Sequence, residues 1–359
     1  MEGTDLPYIV SVGTAVPDHT LQQEEAREFA RELFRDAFQD ITRYLPIFDH
    51  ASIRTRRLAR PREWFEEDRS FAERNDAYTE TACRLGEEAV KQCLERAGVH
   101  PGEVDHLFFV STSGLATPSI DARMIHRLGF SRHVKRTPIW GLGCAGGASG
   151  LARAYEYTLA FPESRVILLA VELCSLTFRR GDHTKSNLVA TSLFADGAAA
   201  VLIIGNEAPF PAGLSGRPRV LDTMSTTWPN SLDVMGWEVE DDGLKVLFSR
   251  DIPSIVRREV PAAVEGFLTR SGLDLNRVGR VIAHPGGMKV LTAYQEALSL
   301  PEEAFRHSRS ILGEYGNMSS VTVLFVLERE LQEEHQAGSY GLVTALGPGF
   351  SSEMMLLQW

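Results

Sequence analysis

The segment GLGCAGGASG, residues 141–150, places one cysteine among five glycines. An apolar, β-prone stretch, TPIW, precedes it, and a stretch with helical spacing, LARAYEYTLA, follows it. Cys144 is therefore predicted at a strand-to-helix turn, near the first turn of a helix. The free N–H groups and dipole of a helix start favour a thiolate, so we expect its pKa below the usual ~8.5. A nucleophile that accepts acyl groups fits this position, and so does a small cysteine buried in a tight turn.

Two other segments carry polar side chains beside predicted elements. VIAHPGG places His284 just after an apolar strand, and YGNMSS places Asn317 on a glycine at a predicted helix start. Taken singly, a structural histidine and an N-cap asparagine are the common interpretations. Together with Cys144, an imidazole and an amide could stabilise the oxyanion that forms when acyl chemistry takes place at a thiolate.

The surrounding pattern alternates between strands and helices. We predict a strand at residues 8–17 and helices over residues 22–44 and 79–98, the second ending at Gly98. From residue 104 onward, short apolar strands alternate with helical stretches, as in VDHLFFVSTSG, DARMIHRLG and RVILLAVEL. This alternation predicts the α/β class.

The two halves of the chain resemble each other in pattern. VDHLFFVS, the helix after Cys144 and RVILLAVE recur as VGRVIAHP, the helix after Asn317 and SYGLVTALG. The offsets are 173 to 174 residues (from 104 to 278, from 144 to 317 and from 165 to 339). The repeat predicts two equivalent α/β halves that share a central pair of helices, with Cys144 at the start of one helix and Asn317 at the start of the other.

Composition excludes several classes of protein. The formal net charge is −11, which disfavours nucleic acid and anionic membranes as partners. The four cysteines, Cys83, Cys93, Cys144 and Cys174, are too scattered for a disulfide framework or a clustered metal site. No apolar run approaches the ~20 residues of a membrane helix, and the N-terminal stretch has no signal-type core. We expect a cytoplasmic protein in a reducing compartment.

Six motifs together resemble a known family. GLGCAGGASGLARA, AHPGG, GNMSS and ALGPGF are similar to the active-site motifs of type III polyketide synthases, the chalcone synthase-like family. SLFADGAAAV and GLKVLFSRDIP extend the resemblance nearly from end to end. It implies a homodimeric acyltransferase with a thiolase-like fold, two pseudo-duplicated α/β halves in a layered αβαβα arrangement. Residues 1–212 would carry the cysteine and residues 213–359 the histidine and asparagine.

The resemblance also implies a reaction. Cys144 would take the acyl group of a starter CoA thioester, and an ion pair with His284 would keep the thiolate ready. His284 and Asn317 would bind the thioester carbonyl of malonyl-CoA and stabilise the enolate left by loss of CO2. The enolate would attack the acyl-cysteine, the cycle would repeat without a carrier protein, and a cyclised product would leave. CoA thioesters are substrates here, and the reaction needs neither a metal nor a redox cofactor.

The resemblance assigns further residues to the substrate cavity. Phe194 would stand where the cavity meets its entry tunnel, with Gly347, Pro348 and Gly349 forming a wall near Cys144. The chain departs from the plant pattern at three positions, which carry Thr117, Cys174 and Val246. The stretch ELCSLTF instead resembles bacterial members that make alkylpyrones or alkylresorcinols from fatty acyl-CoA starters. Less polar walls suit an aliphatic chain, since each buried CH2 contributes about 0.8 kcal/mol.

One dense basic run, RTRRLARPR at residues 54–62, interrupts an acidic chain. Taken alone it is typical of a solvated surface. The family binds CoA phosphates with basic residues in this region, which implies contacts from Arg54, Arg56 and Arg57, with Lys289 as a further contributor.

Three alternatives remain beside this hypothesis. A ketoacyl synthase III has the same fold and triad, but its histidine usually precedes Gln-Ala-Asn, whereas His284 precedes Pro-Gly-Gly. A cysteine hydrolase would let water release the acyl group and would not decarboxylate malonyl-CoA. A non-catalytic lipid-binding relative would be expected to lack a triad residue. We expect a fatty acyl starter, roughly two or three malonyl extensions and lactone closure to an alkylpyrone, with an alkylresorcinol as the alternative product.

Overall fold

The computed structural model describes residues 6–359, an α/β fold of ten α-helices and thirteen strands within that range. The helices are α1 (Gln23–Leu33), α2 (Pro46–His50), α3 (Phe71–Ala97), α4 (Ile120–Leu128), α5 (Gly146–Ala160), α6 (Lys185–Leu193), α7 (Ile252–Arg270), α8 (Met288–Leu298), α9 (Arg306–Tyr315) and α10 (Thr322–Glu330). The strands are β1 (Tyr8–Ala15), β2 (His19–Gln22), β3 (Thr55–Leu58), β4 (His106–Val110), β5 (Lys135–Ile139), β6 (Arg165–Leu173), β7 (Asp196–Ile204), β8 (Arg219–Thr227), β9 (Met235–Glu240), β10 (Gly243–Phe248), β11 (Val278–Ala283), β12 (Tyr340–Gly347) and β13 (Ser351–Gln358).

The main sheet confirms the internal duplication. Its order is β11-β12-β13-β8-β1-β7-β6-β4-β5. The quartet β1, β7, β6, β4 is matched by β8, β13, β12, β11, and in each quartet only the last pair of strands is parallel. The quartets meet through one pair, Tyr8 with Arg219. The predicted boundary between residues 212 and 213 lies in the connection from β7 to β8.

Three apolar cores separate the layers. The central core holds α5 and α10 between the two quartets, with Leu151 and Leu324 fully buried against strand residues such as Leu168 and Val343. A second core packs α3 and α4 on the outer face of the first quartet, and a third packs α7 and α8 on the outer face of the second. The predicted αβαβα layering follows, because each sheet face is covered by helices.

Two of the predicted helices differ from the observed ones. The helix ending at Gly98 is confirmed, with Gly98 at φ 64°, but it starts earlier, at Phe71, where Ser70 and Glu73 form a capping box. The helix predicted over residues 22–44 is wrong beyond Leu33. There Asp40 accepts a hydrogen bond from the backbone N–H of Thr42, an arrangement that competes with helix.

The segment after α1 has a packing role of its own. Phe34, Ile41, Leu45 and Phe48 are buried together in a small core separate from the three main ones. A straight helix would spread these side chains along its length, so the chain turns repeatedly instead. Among residues 6–359, no helix combines the length and apolarity needed to cross a membrane.

Candidate active site

Cys144 lies in a short 3-10 helix, Gly143–Ala145, that leads into α5. The predicted strand-to-helix turn is thereby confirmed. The glycines after Cys144 are required by close packing. A Cβ on Gly147, for example, would lie 2.1 Å from the carbonyl oxygen of Ser320. A Cβ on Gly146 would likewise meet Val110 at 2.7 Å. The first turn of α5 therefore touches the other half of the molecule at backbone distance, close to the start of α10.

His284 follows β11 directly and is held by its backbone, whose N–H donates to the carbonyl of Thr344 at 2.8 Å. The residue is 4% exposed. Both ring nitrogens are buried without a hydrogen-bond partner among the described residues. Buried polar atoms are normally paired, so an unpaired imidazole indicates a site for an outside ligand.

Asn317 is fixed in one orientation by its neighbours. Its Oδ1 accepts from the backbone N–H of Ser319 at 2.8 Å, and its Nδ2 donates to the carbonyl of Gly286 at 3.1 Å. The amide nitrogen carries two hydrogens, so one donor remains for a ligand. The Gly286 contact also ties Asn317 to the turn that carries His284.

Cys144, His284 and Asn317 line one cavity, so the structure brings the three predicted residues together. We call it the triad cavity; it has a volume of about 510 Å³. Four cationic side chains also line it and are exposed to solvent: Arg43, Lys185, Arg250 and Lys289. The cavity thus combines a thiol, two potential hydrogen-bond donors and positive charge.

Desolvation controls the protonation of the triad, although Cys144 itself is only partly buried. It raises the pKa of the Cys144 thiol to about 12, because desolvation outweighs the hydrogen bonds that Ser319 and Asn317 supply to the sulfur. Burial also lowers the pKa of His284 to about 3. The expected depression of the cysteine pKa is therefore wrong. Thiol and imidazole are both neutral near pH 7.

Phe194 lies between the triad cavity and a second, apolar cavity. The backbone on either side of it bonds to Asn317, through Asn317 N–H to Leu193 and Ala195 N–H to Asn317, both at 2.9 Å. Its ring packs on Phe248, with centroids 5.6 Å apart. Phe248 lines the triad cavity and Phe194 the second one, so this aromatic pair separates the two.

The second cavity, which we call the apolar cavity, has a volume of about 70 Å³. Cys174 and Val246 line it as predicted, together with Phe194. Sequence reasoning missed Trp237 and Leu244, which β9 and β10 add to the wall. No local sequence pattern identifies these two residues as cavity-lining, because the hairpin reaches the cavity only in the folded chain.

The loop after β12 packs against the turn that carries Cys144. A Cβ on Gly347 would lie 2.5 Å from the Cβ of Ala145, and one on Gly143 would lie 2.8 Å from Cδ of Pro348. Gly349 completes the loop, with φ 134°. The predicted location of this loop beside Cys144 is thus observed.

Thr117 does not belong to the cavity wall of this chain. It is exposed and lines neither cavity. The segment after β4 runs to the surface, where the side chain of Asn75 forms two 2.8 Å hydrogen bonds with the backbone of Leu115. The prediction that Thr117 is a cavity residue is therefore corrected for the single chain.

The residues predicted to contact CoA lie in different places in the structure. Lys289 lines the triad cavity, whereas Arg54 and Arg57 line neither cavity. Arg56 is 3% exposed, and its Nη1 donates to the carbonyls of Thr191 and Phe194 at 2.7 and 3.0 Å. Its position next to Phe194 corrects the prediction: Arg56 holds the end of α6 and has no exposed group for a phosphate. Three other cationic residues line the triad cavity, and the sequence analysis did not predict them: Arg43, Lys185 and Arg250.

Glu172 is a buried charge that sequence reasoning also missed. It accepts hydrogen bonds from the backbone N–H groups of Thr112 and Ser113, both at 3.0 Å, and from the hydroxyl of Ser320 at 2.7 Å. Its charge contributes to the raised pKa of Cys144. The sequence does contain a signal for this residue, because Glu172 is the single acidic residue in the largely apolar strand RVILLAVEL. Within residues 6–359, no group of three or more His, Cys, Asp or Glu side chains is arranged to hold a metal ion.

A sandwich of two duplicated half-sheets around two central helices, with a cysteine, a histidine and an asparagine at its centre, defines the class of thiolase-like condensing enzymes. Comparison with known proteins specifies the family. The N-terminal domain of chalcone and stilbene synthases matches residues 3–208, and the C-terminal domain matches residues 220–359. The chain belongs to this family and is a type III polyketide synthase, a condensing acyltransferase.

Individual relatives support this assignment over the whole chain. A putative chalcone synthase of Bacillus subtilis is 45% identical over 361 residues, covering 99% of both chains. A 1,3,6,8-tetrahydroxynaphthalene synthase of Streptomyces peucetius is 38% identical over 352 residues, covering 98% of this chain and 93% of the relative. The crystal structure of 1,3,6,8-tetrahydroxynaphthalene synthase from Streptomyces coelicolor, a bacterial type III polyketide synthase, superposes with a TM-score of 0.91 at 29% identity, covering 98% and 99% of the two chains.

Proposed function

We propose that the protein condenses malonyl-CoA with a fatty acyl-CoA starter at Cys144 and releases an alkylpyrone. One observation carries the catalytic assignment: the unpaired imidazole of His284 and the oriented amide of Asn317 line the same cavity as the Cys144 thiol. These are the groups that an acyl-transfer step followed by an enolate-forming step requires.

The first step loads the starter. Because Cys144 and His284 are both neutral, the thiol proton passes to the imidazole as the sulfur attacks the thioester carbonyl. The C–S bond to CoA then breaks, and the departing CoA thiolate takes the proton back from His284. The acyl group remains on Cys144. This order of proton transfers differs from the one that the family resemblance implies, in which a thiolate–imidazolium ion pair exists before the substrate binds.

The second step uses the same donors on malonyl-CoA. The free N–H of Asn317 and an N–H of His284 bond the thioester carbonyl, so the oxygen is stabilised as negative charge develops during loss of CO2. The enolate carbon attacks the acyl carbonyl on Cys144, the C–S bond to the cysteine breaks, and the released thiolate takes up one proton from solvent to restore the thiol. The lengthened chain is now a thioester of CoA and can return to the cysteine.

We propose that the CoA phosphates contact the cationic mouth of the triad cavity. Arg43, Lys185, Arg250 and Lys289 come from four separate segments of the chain, line the same cavity and are exposed to solvent, so positive charge gathers on its solvent-facing side. A local cluster of cations can guide a polyanionic substrate even on a chain whose net charge is −11. The catalytic thiol, at the inner end, is reached through this mouth.

The starter proposal depends on the apolar cavity. Cys174, Phe194 and Val246 are buried in one apolar cluster with Ala190, and Trp237 packs on it. Such a lining favours an aliphatic chain over a polar one. An acyl group on Cys144 would pass Phe194 to enter it. Lactone closure of the extended chain would then give an alkylpyrone.

The relatives supply a second candidate. Some are named 1,3,6,8-tetrahydroxynaphthalene synthases, and one of them is 38% identical over 98% of this chain. A polyketide built from malonyl-CoA alone is therefore the other product class to test.

The deciding experiment is a mass-spectrometric product assay. Purified protein receives malonyl-CoA alone or with acyl-CoA starters from acetyl to long chain, and Cys144→Ala is run in parallel. We expect pyrones that lengthen with the starter and are absent with the variant. A naphthalene product that is the same with every starter would establish the second candidate, synthesis from malonyl-CoA alone. Free acids without CO2 release would show a thioester hydrolase and overturn both.

We also propose that the enzyme is a homodimer in the cytoplasm. Trp140 and Phe161 are each about half exposed, at 51% and 49%, and Lys135 on the edge strand β5 lies over the Phe161 ring. Exposed aromatic side chains around one edge are typical of a covered surface. All four cysteines are free thiols, as expected in a reducing compartment. Light scattering on the purified chain tests the dimer.

A further inference from the structure

The hairpin of β9 and β10 forms one wall of the apolar cavity, and among the described residues it is held to the rest of the fold without strand pairing. The two strands pair only with each other, with Trp237 opposite Val246 and Val239 opposite Leu244. Trp237, Leu244 and Val246 line the cavity. A two-stranded hairpin is at best marginally stable alone, so the position of this wall depends on the contacts that hold it.

One guanidinium holds the turn of the hairpin. Arg179, whose side chain is 10% exposed, forms an ion pair with Glu240 at 2.6 Å and another with the carboxylate of Asp242. Arg179 also lies 3.7 Å from Asp182. Both Arg179 and Asp182 line the apolar cavity together with hairpin residues such as Trp237. Arg179 therefore joins the hairpin to the segment that follows Phe178.

A second arginine reinforces this junction from α3. Arg74 donates to the carbonyl of Phe178 at 2.7 Å and to the carbonyl of Asp242. Hydrogen bonding to Arg179 lowers the pKa of the Asp242 carboxyl, and hydrogen bonds from Lys245 and then Arg179 lower the pKa of Glu240, so both acids are ionised near neutral pH. The ion pairs thus persist throughout the pH range of a cytoplasmic enzyme.

We infer that Arg179 is a positioning residue for starter selection, because it holds the β9–β10 hairpin at a fixed distance from the segment around Phe178. The inference rests on the proposed function, in which the acyl chain occupies the apolar cavity. With the ion pairs intact, Trp237, Leu244 and Val246 form a fixed wall along the far part of the chain. Without them the hairpin moves outward, and long starters lose contacts that short starters never make.

The test compares Arg179→Gln with wild type on acetyl-, hexanoyl- and dodecanoyl-CoA. We expect KM for dodecanoyl-CoA to rise about tenfold, because apolar contacts to the far methylenes are lost, while the constants for acetyl-CoA change less than about twofold. Arg179→Lys keeps the charge and should recover most of the difference. Arg258→Gln removes an exposed arginine on α7 paired with Glu259 and serves as the matched control.

Two results would overturn the inference. Equal losses for all three starters would mean that Arg179 supports folding only, and an unchanged profile would mean that the hairpin does not depend on it. Hydrogen exchange at residues 235–248 provides a readout independent of the starter, and we expect faster exchange in Arg179→Gln than in Arg258→Gln. Failure of the proposed function looks different: wild type itself would then show no preference among acyl chains.

Discussion

The two cavities on either side of Phe194 differ in both chemistry and construction. The triad cavity carries Cys144, His284 and Asn317 together with four exposed cations, and both halves of the duplicated fold contribute to it. The apolar cavity is smaller and is closed by a hairpin that belongs to neither repeated quartet of strands. In the proposed function, the reaction therefore depends on the duplicated scaffold, whereas the selection of starter length depends on an added element.

This separation predicts that substitutions will fall into two groups. Changes in the triad cavity should affect every starter alike, and changes in the apolar cavity should act according to chain length. The largest effects are expected at the nucleophile and the smallest at the cationic mouth.

Removal of the nucleophile should have the largest effect. Cys144→Ala leaves no group to hold the starter, so we expect condensation to fall by about 10³-fold or more for acetyl- and dodecanoyl-CoA alike. Product formation by mass spectrometry measures it. Cys83→Ala, which removes a thiol on α3 that lines neither cavity, should stay close to wild type. A variant that retains condensation would show that another group carries the acyl chain.

The raised pKa of Cys144 predicts a steep pH dependence of its alkylation. With a thiol pKa near 12, the thiolate fraction grows about tenfold per pH unit, so the rate with iodoacetamide should rise about 100-fold from pH 7 to 9. Peptide mass spectrometry assigns the modified cysteine. Free cysteine is the reference, and its rate levels off above its own pKa. A rate independent of pH between 6 and 8 would indicate a standing thiolate–imidazolium pair instead.

Filling the apolar cavity should act by chain length. Val246 is 6% exposed and packs with Phe194, so Val246→Phe places a ring where the acyl chain would lie. We expect kcat/KM for dodecanoyl-CoA to fall about 30-fold, with acetyl-CoA little changed. Val239→Phe adds the same ring to the same hairpin at a position 77% exposed and should leave the profile unaltered. Equal losses for both starters would show that the two cavities do not have separate roles.

Changes at the mouth should be smallest. Lys289→Ala or Arg250→Ala removes one exposed cation, so we expect KM for malonyl-CoA to rise about fivefold without a change in kcat. Steady-state kinetics at low salt measures the effect, which should vanish with short thioester analogues that lack the CoA phosphates. Arg54→Ala, outside both cavities, is the control. A larger effect from Arg54 would restore the basic run at residues 54–62 as the phosphate site.

The duplicated scaffold was predictable from the sequence because its signals are local and repeated. Apolar strands recur at offsets of 173 to 174 residues, and Cys144, His284 and Asn317 each lie at the end of a predicted element. The turn at Cys144 and the helix ending at Gly98 were found in this way. Type III polyketide synthase motifs then placed Pro348 and its flanking glycines beside the cysteine.

What the sequence did not reveal depends on distant parts of the chain. The position of Arg56 inside a basic run suggests an exposed charge, yet α6 and Phe194 cover it. Helical spacing over residues 22–44 conceals turns that arise because Phe34 and Ile41 pack together. The pKa of Cys144 is raised by desolvation in the folded protein, a cost that the helix start alone does not indicate.

The contact between Gly147 and Ser320 has a consequence for the chain during synthesis. Cys144 comes from the first half, while His284, Asn317 and the Ser320 turn that α5 packs against come from the second. A ribosome that has completed only the first half displays a cysteine with no base to activate it. The complete site with Cys144, His284 and Asn317 therefore forms only when the second half docks onto the first, as expected when domains fold in order of synthesis.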